Sequence, residues 1–294
     1  MNIISILVAF AGGIFGAAVG ALGAFVILGF LIIAGVAAQA TGADLLSIPL
    51  GPAFGPHVGG FAAGVAAAAY AARKGKLAAG KDIVTPLMGL NSPDILLVGG
   101  VFGIVGYLIN WIFNLVGFPW TDTVALTVVT SGIVARLLWG NGIFGKVAPG
   151  ISRFSPPADI QWVPWESSIA QRLIIGLGAG LLSAHIALLL GAENGGAVLG
   201  FAVSAISLAL LAFGLKVPVT HHITLVAAVA ATASGSLIWG ALFGVLAAIV
   251  GEIMANLFVV HGDTHIDPPA ATIATLTSVS LLLAALGVYN LPLP

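Results

Sequence analysis

The sequence predicts an all-α polytopic membrane protein of about 8–10 transmembrane segments, each needing about 20 apolar residues. They are expected to form two inverted-topology repeats with broken helices meeting near the midplane. Three observations predict this: the composition, the spacing of apolar runs, and an order of Pro, His and Asp that occurs twice. Of 294 residues, 60% are hydrophobic and 6% charged, against about 25% charged in an average soluble domain. The formal net charge of -1 leaves no basic surface for nucleic acid. Cys is absent, which excludes disulfides and thiol chemistry.

Candidate spans run over 3–39, 57–72, 94–117, 121–139, 169–190, 195–215, 235–260 and 268–290. The N-terminal run lacks the positive region of a signal peptide and is expected to stay in the membrane. As one helix, 3–39 would measure roughly 55 Å, more than the bilayer core, so it is either one long tilted helix or two short ones turning near Gly20 and Gly23, and two are favoured. The 40 glycines, many spaced four apart as in Gly12, Gly16 and Gly20, suit close helix packing in lipid. The same faces would allow a homo-oligomer.

Basic residues concentrate at Arg73, Lys74, Lys76 and Lys81, and at Arg136, Lys146, Arg153 and Arg172. The positive-inside rule places both groups, with Lys216, in the cytoplasm. The loops at Glu193-Asn194 and His261-Gly262-Asp263 are then expected outside, and Leu291-Pro292-Leu293-Pro294 inside. Trp111, Trp120, Trp139, Trp162, Trp165 and Trp239 fall near predicted span ends, as interfacial anchors do. The expected setting is a cell (inner) membrane, with the lipid bilayer as the main partner.

The repeat reads as follows. Gly55-Pro56-His57, a span, then Ser92-Pro93-Asp94 opening a span is echoed by Val217-Pro218-Val219-Thr220-His221-His222, a span, then Asp267-Pro268-Pro269 opening the last. This divides the chain into a membrane repeat over 1–140, a cytoplasmic linker over 141–168 and a second repeat over 169–294. Inverted repeats with discontinuous helices are a transporter plan. The outline is similar to urea-type channels, without their sequence signature.

A carboxylate in an apolar span is costly unless used. Asp94 and Asp267, each beside Pro at a helix start, are therefore the expected binding pair, with Asn91 and Ser92 beside the first. Helix N-termini favour an ionised carboxylate. Glu252 and Asn256, four apart, share a helix face, and Thr272 extends a polar stripe beyond Asp267. His57, His221, His222 and His265 gather at the proposed breaks as gates or proton carriers. His and Asp together could also ligate a divalent ion, but no specific metal motif occurs, and no cofactor is implied.

Pro149-Gly150-Ile151-Ser152-Arg153 resembles the Pro-Gly-x-Ser-Arg motif of undecaprenyl-pyrophosphate phosphatases. Those enzymes also carry an early glutamate-rich motif, whereas the first 43 residues here hold no acidic residue. The stretch therefore reads as linker. The expected function is secondary transport, proton- or Na⁺-coupled, of a small polar solute or ion between the repeats. A passive channel for a neutral solute, an intramembrane enzyme on a lipid-linked substrate and a subunit of a larger transport complex are the alternatives. A non-enzymatic role ranks first, because a phosphate clamp would need basic residues within the spans.

Overall fold

The computed structural model describes residues 2–39, 41–118 and 120–290. Pro119, in the expected Phe118-Pro119-Trp120 turn, and the C-terminal Leu291–Pro294 lie outside the described residues. Among the described residues there are ten α-helices and no strand. In order they are α1 (Ile3–Val19), α2 (Ala21–Gln39), α3 (Ala62–Arg73), α4 (Pro93–Val116), α5 (Thr123–Trp139), α6 (Ile169–Leu190), α7 (Gly196–Ala212), α8 (His221–Ser234), α9 (Leu237–Phe258) and α10 (Pro268–Ala285). Five of them, α2, α4, α6, α9 and α10, are long and apolar enough to cross a bilayer. The molecule is all-helical and consistent with a helical membrane protein.

The first apolar run breaks where expected. Gly20 separates α1 from α2 with φ of 84°, a left-handed conformation that favours glycine. The joint is pinned from outside, because the Leu22 N–H donates to the Ile83 carbonyl at 2.8 Å. The expected span over 57–72 is corrected. Its helical part, α3, has 12 residues and reaches about 18 Å, too short to cross. The chain before it, from Gly55 to Phe61, is buried without being helical. A matching short helix, α8, has 14 residues and begins at the buried His221 and His222. The candidate spans, which stop at 215 and resume at 235, left it out.

Small residues set the helix pairs. α1 packs antiparallel on α4, with Gly13 facing Gly99 and Gly103, and α6 packs antiparallel on α9, with Gly180 on Gly244 and Gly240 on Ala184. Without side chains at these points the backbones approach closely. α3 rests against α1, α4 and α5, and α8 against α6, α9 and α10. The two groups meet chiefly where α2 lies on α7 and α5 on α10. The main core lies along this seam, with Phe25, Leu28 and Ile32 of α2 beside Phe201 and Leu208 of α7, Ile223 of α8, Phe243 of α9 and Ile273 of α10.

Basic side chains gather at one end of the molecule. Lys81 Nζ reaches the Val259 and Val260 carbonyls at 3.4 Å, and the Lys146 N–H donates to the His261 carbonyl at 3.1 Å. The expectation that His261-Gly262-Asp263 lies opposite the basic loops is thereby corrected. Arg136 anchors the same region. Fully buried, it donates from Nε to Thr264 Oγ1 at 2.8 Å, from Nη1 to the Ile143 carbonyl at 2.6 Å and from Nη2 to the Thr264 carbonyl. α3 runs from the interior toward this end. α8 runs away from it, since it joins the far end of α9 through Gly235 and Ser236.

Candidate functional site

Two helix starts build the site. At α10, Pro268 and Pro269 occupy the first helical positions, where a missing N–H costs nothing. The first free donor is the Ala270 N–H, which Asp267 Oδ2 accepts at 2.7 Å. Asp267 Oδ1 lies 3.0 Å from His265 Nε2. The start of α5 is built alike: Asp122 Oδ1 accepts the Ala125 N–H at 2.8 Å. Thr121 Oγ1 donates to the Ala274 carbonyl at 2.9 Å. Ala274 stands seven residues beyond Asp267, so Thr121, next to Asp122, meets α10 roughly 10 Å along its axis from Asp267.

Between them lies a cavity of about 210 Å³. Asp122, Asp267, Phe25, Phe61, Phe201 and His221 line it, with apolar residues around them. The rings interlock: Phe25 meets Phe61 at 5.7 Å, Phe201 at 5.5 Å and His221 at 4.8 Å between centroids. A second cavity, of about 110 Å³, opens beyond them, lined by Trp162, Trp165, Ile83, Leu211 and His265. Phe25, Phe61, His221 and Asp267 border both cavities. They are the wall that the two spaces share. His221 Nδ1 is buried and has no hydrogen-bond partner.

A smaller polar pocket sits behind the second cavity, among Trp162, Glu166, Arg172, His222 and Glu252. Glu166, in the 140–168 segment, accepts the Val219 N–H at 2.9 Å just ahead of α8. Burial pushes its pKa up to about 7, and the nearby Glu252 carboxylate adds to the rise. Trp165 Nε1 donates to the Val217 carbonyl at 2.9 Å. The segment between α5 and α6 is thus a plug against the entry to α8 as well as a connection.

The expected pairing of Asp94 with Asp267 is corrected. Asp94 lies in the first turn of α4, partly exposed, 2.5 Å from Lys74 Nζ and 2.9 Å from the Tyr70 hydroxyl. Asn91 is exposed beside it and Ser92 makes no side-chain cap. Glu252 and Asn256 do share a face, with Asn256 Nδ2 3.3 Å from Glu252 Oε1, but Glu252 faces Arg172 at 3.7 Å and does not line the cavity beside Asp122 and Asp267. Thr272 is fully buried and donates to the Pro268 carbonyl. Of the histidines, His221 and His265 border the cavities, His222 lines the polar pocket, and His57 stands apart, 3.4 Å from Asn110 Nδ2. No group of three or more His, Cys, Asp or Glu among the described residues could hold a metal ion.

Sequence reasoning passed over Asp122, Phe25, Phe61, Phe201 and Glu166. A signal for Asp122 exists: Asp122-Thr-Val-Ala125-Leu-Thr127 is matched by Asp267-Pro-Pro-Ala270-Ala-Thr272 at the other helix start.

Helices of this length and apolarity place the chain among proteins built for the bilayer. It belongs to the family described as a family of unknown function (DUF7973), whose profile matches residues 1–161 and residues 157–292. No curated protein and no solved structure matches it.

Proposed function

We propose that this protein is a secondary transporter that moves a small solute or ion through the seam between two inverted repeats, α1–α5 and α6–α10. The observation that carries the reading is the partition. One cavity lies toward Leu50 and Asp122 and the other toward Ile83 and Trp162, and Phe25, Phe61, His221 and Asp267 border both. A carrier needs such a barrier to be thin and movable, whereas an open pore needs none.

The repeat is supported by the packing. Each helix of the first group has a counterpart with corresponding neighbours in the second, and the seam pairs α2 with α7 and α5 with α10. The short helices α3 and α8 run in opposite senses, as an inverted copy requires. The two profile matches divide the chain near the same place. Discontinuous elements that begin inside the protein, with cavities beside them, are the transporter arrangement. With Lys and Arg at one end, the positive-inside rule orients that end to the cytoplasm of a cell membrane. The cavity beside Trp162 and Trp165 then faces inward, and that beside Asp122 outward.

The absence of Cys makes the test direct. Leu50→Cys reports the outer cavity and Ile83→Cys the inner one. In proteoliposomes an impermeant maleimide should label each from one face only. A transported solute should raise one rate while lowering the other. Labelling of both sites from either face would mark a pore; rates that no solute changes, with no flux, would remove the transporter reading.

A further inference from the structure

Resting on the transporter reading, we infer that the outer cavity binds a small organic cation with an apolar body, of the quaternary ammonium class. The lining decides the class. Its ionisable groups are Asp122, Asp267 and His221, and no Lys or Arg borders the space. An anion would meet two carboxylates and no counter-charge. A sugar-like solute would find few partners, since most of the remaining lining is Phe, Val, Leu, Ile, Ala and Pro.

A bare metal ion fits no better, because hard cations take six or more oxygen ligands. Thr121, next to Asp122, meets α10 roughly 10 Å along its axis from Asp267. Asp267 already accepts from the Ala270 N–H on one oxygen and lies against His265 on the other. What the cavity offers is a carboxyl group at each of two helix starts and three aromatic rings beside them. Phe25, Phe61 and Phe201 border it together and meet edge to face. Aromatic walls attract a cation whose charge is spread over methyl groups, and cages of this kind recognise quaternary ammonium. A volume of about 210 Å³ is below that of drug-sized pockets, about 300 Å³ and upward, which limits the cargo to a head group with a short tail.

His221 is the second, independent mark of a ligand. It is 7% exposed and borders the cavity. Its Nδ1 is buried without a partner, although a buried polar atom is normally satisfied. A hydroxyl on the short tail of the cation would supply the missing bond once the imidazole turns this nitrogen toward the cavity.

Choline, which carries both groups, is the probe, and 3,3-dimethylbutan-1-ol is its uncharged carbon counterpart. Calorimetric titration of the purified protein should show choline binding at least tenfold more tightly than the alcohol. Asp122→Asn, which preserves the cap because Asn is as good an N-cap as Asp, should weaken choline tenfold or more and leave the alcohol unchanged. Phe25→Leu should weaken choline alone in the same way. Equal binding of the two probes, tighter binding of acetate, or no choline binding by folded protein would each overturn the assignment. Choline binding without counterflow in proteoliposomes would keep the site and remove the transporter reading. Flux of another solute with no choline binding would do the reverse.

Discussion

Gly251 of α9 lies directly beneath the imidazole of His222 of α8: a Cβ at Gly251 would stand 2.5 Å from Nε2. Gly106 of α4 has the corresponding relation to His57, except that the atom in the way is the His57 backbone carbonyl. In each group, a glycine on a long helix makes room for a histidine at or before a short one.

These contacts predict unequal costs. Gly251→Ala should lower stability by about 1–3 kcal/mol, the usual cost of overpacking, because the imidazole can turn away. Gly106→Ala should cost more, because a carbonyl in the main chain cannot. Thermal unfolding in detergent ranks the two. If Gly106→Ala proved the milder, the close approach of α4 to residue 57 would be wrong.

Arg136 holds the loop that leads into Asp267. Its three donors satisfy one hydroxyl and two carbonyls in a site without water access. Lysine keeps the charge but has no planar fork to reach all three acceptors. Arg136→Lys should therefore destabilise by roughly 3 kcal/mol, as for lost hydrogen bonds to a charged group. Choline affinity should fall with it if Thr264 and Asp267 move. Wild-type unfolding in the lysine variant would show that this loop is held by other contacts.

Glu166 makes stability depend on pH. Its pKa in the folded protein is raised from the usual 4.5 to about 7, so the folded state holds this proton more tightly than the unfolded chain. The resulting stabilisation is fully present below pH 4.5 and is lost as pH rises through about 7. Melting temperature should fall between pH 5 and 8, and Glu166→Gln, which keeps an acceptor for the Val219 N–H, should flatten that fall. An equally steep profile in the variant would assign the dependence to another group.

Much of the helical framework was legible because lipid imposes blunt rules. Apolar runs marked the long helices, and the excess length of 3–39 favoured the break found at Gly20 over one long tilted helix. Asp267 stood out because its prolines announce a helix start. Asp122 did not, since Thr121 and Thr123 flank it and no Pro follows, although its carboxylate caps α5 as Asp267 caps α10. Asp94 misled for the opposite reason: Pro93 announces a helix start that lies at the surface, where Lys74 and Tyr70 take the carboxylate. α3 and α8 were obscured because short Ala-rich helices share the composition of the spans around them. The aromatic partition was illegible, since Phe25, Phe61 and Phe201 are ordinary apolar residues until the fold brings them together.

The one-residue joint at Gly20 leaves no slack between α1 and α2. A loop of several residues would absorb a tilt of either helix; a single glycine, tied through Leu22 to Ile83, passes it on. Phe25 stands one turn beyond Leu22, so the ring that touches Phe61, Phe201 and His221 is placed by the same turn of helix that the joint fixes. The elbow and the wall shared by the two cavities thus lie within the first two turns of α2.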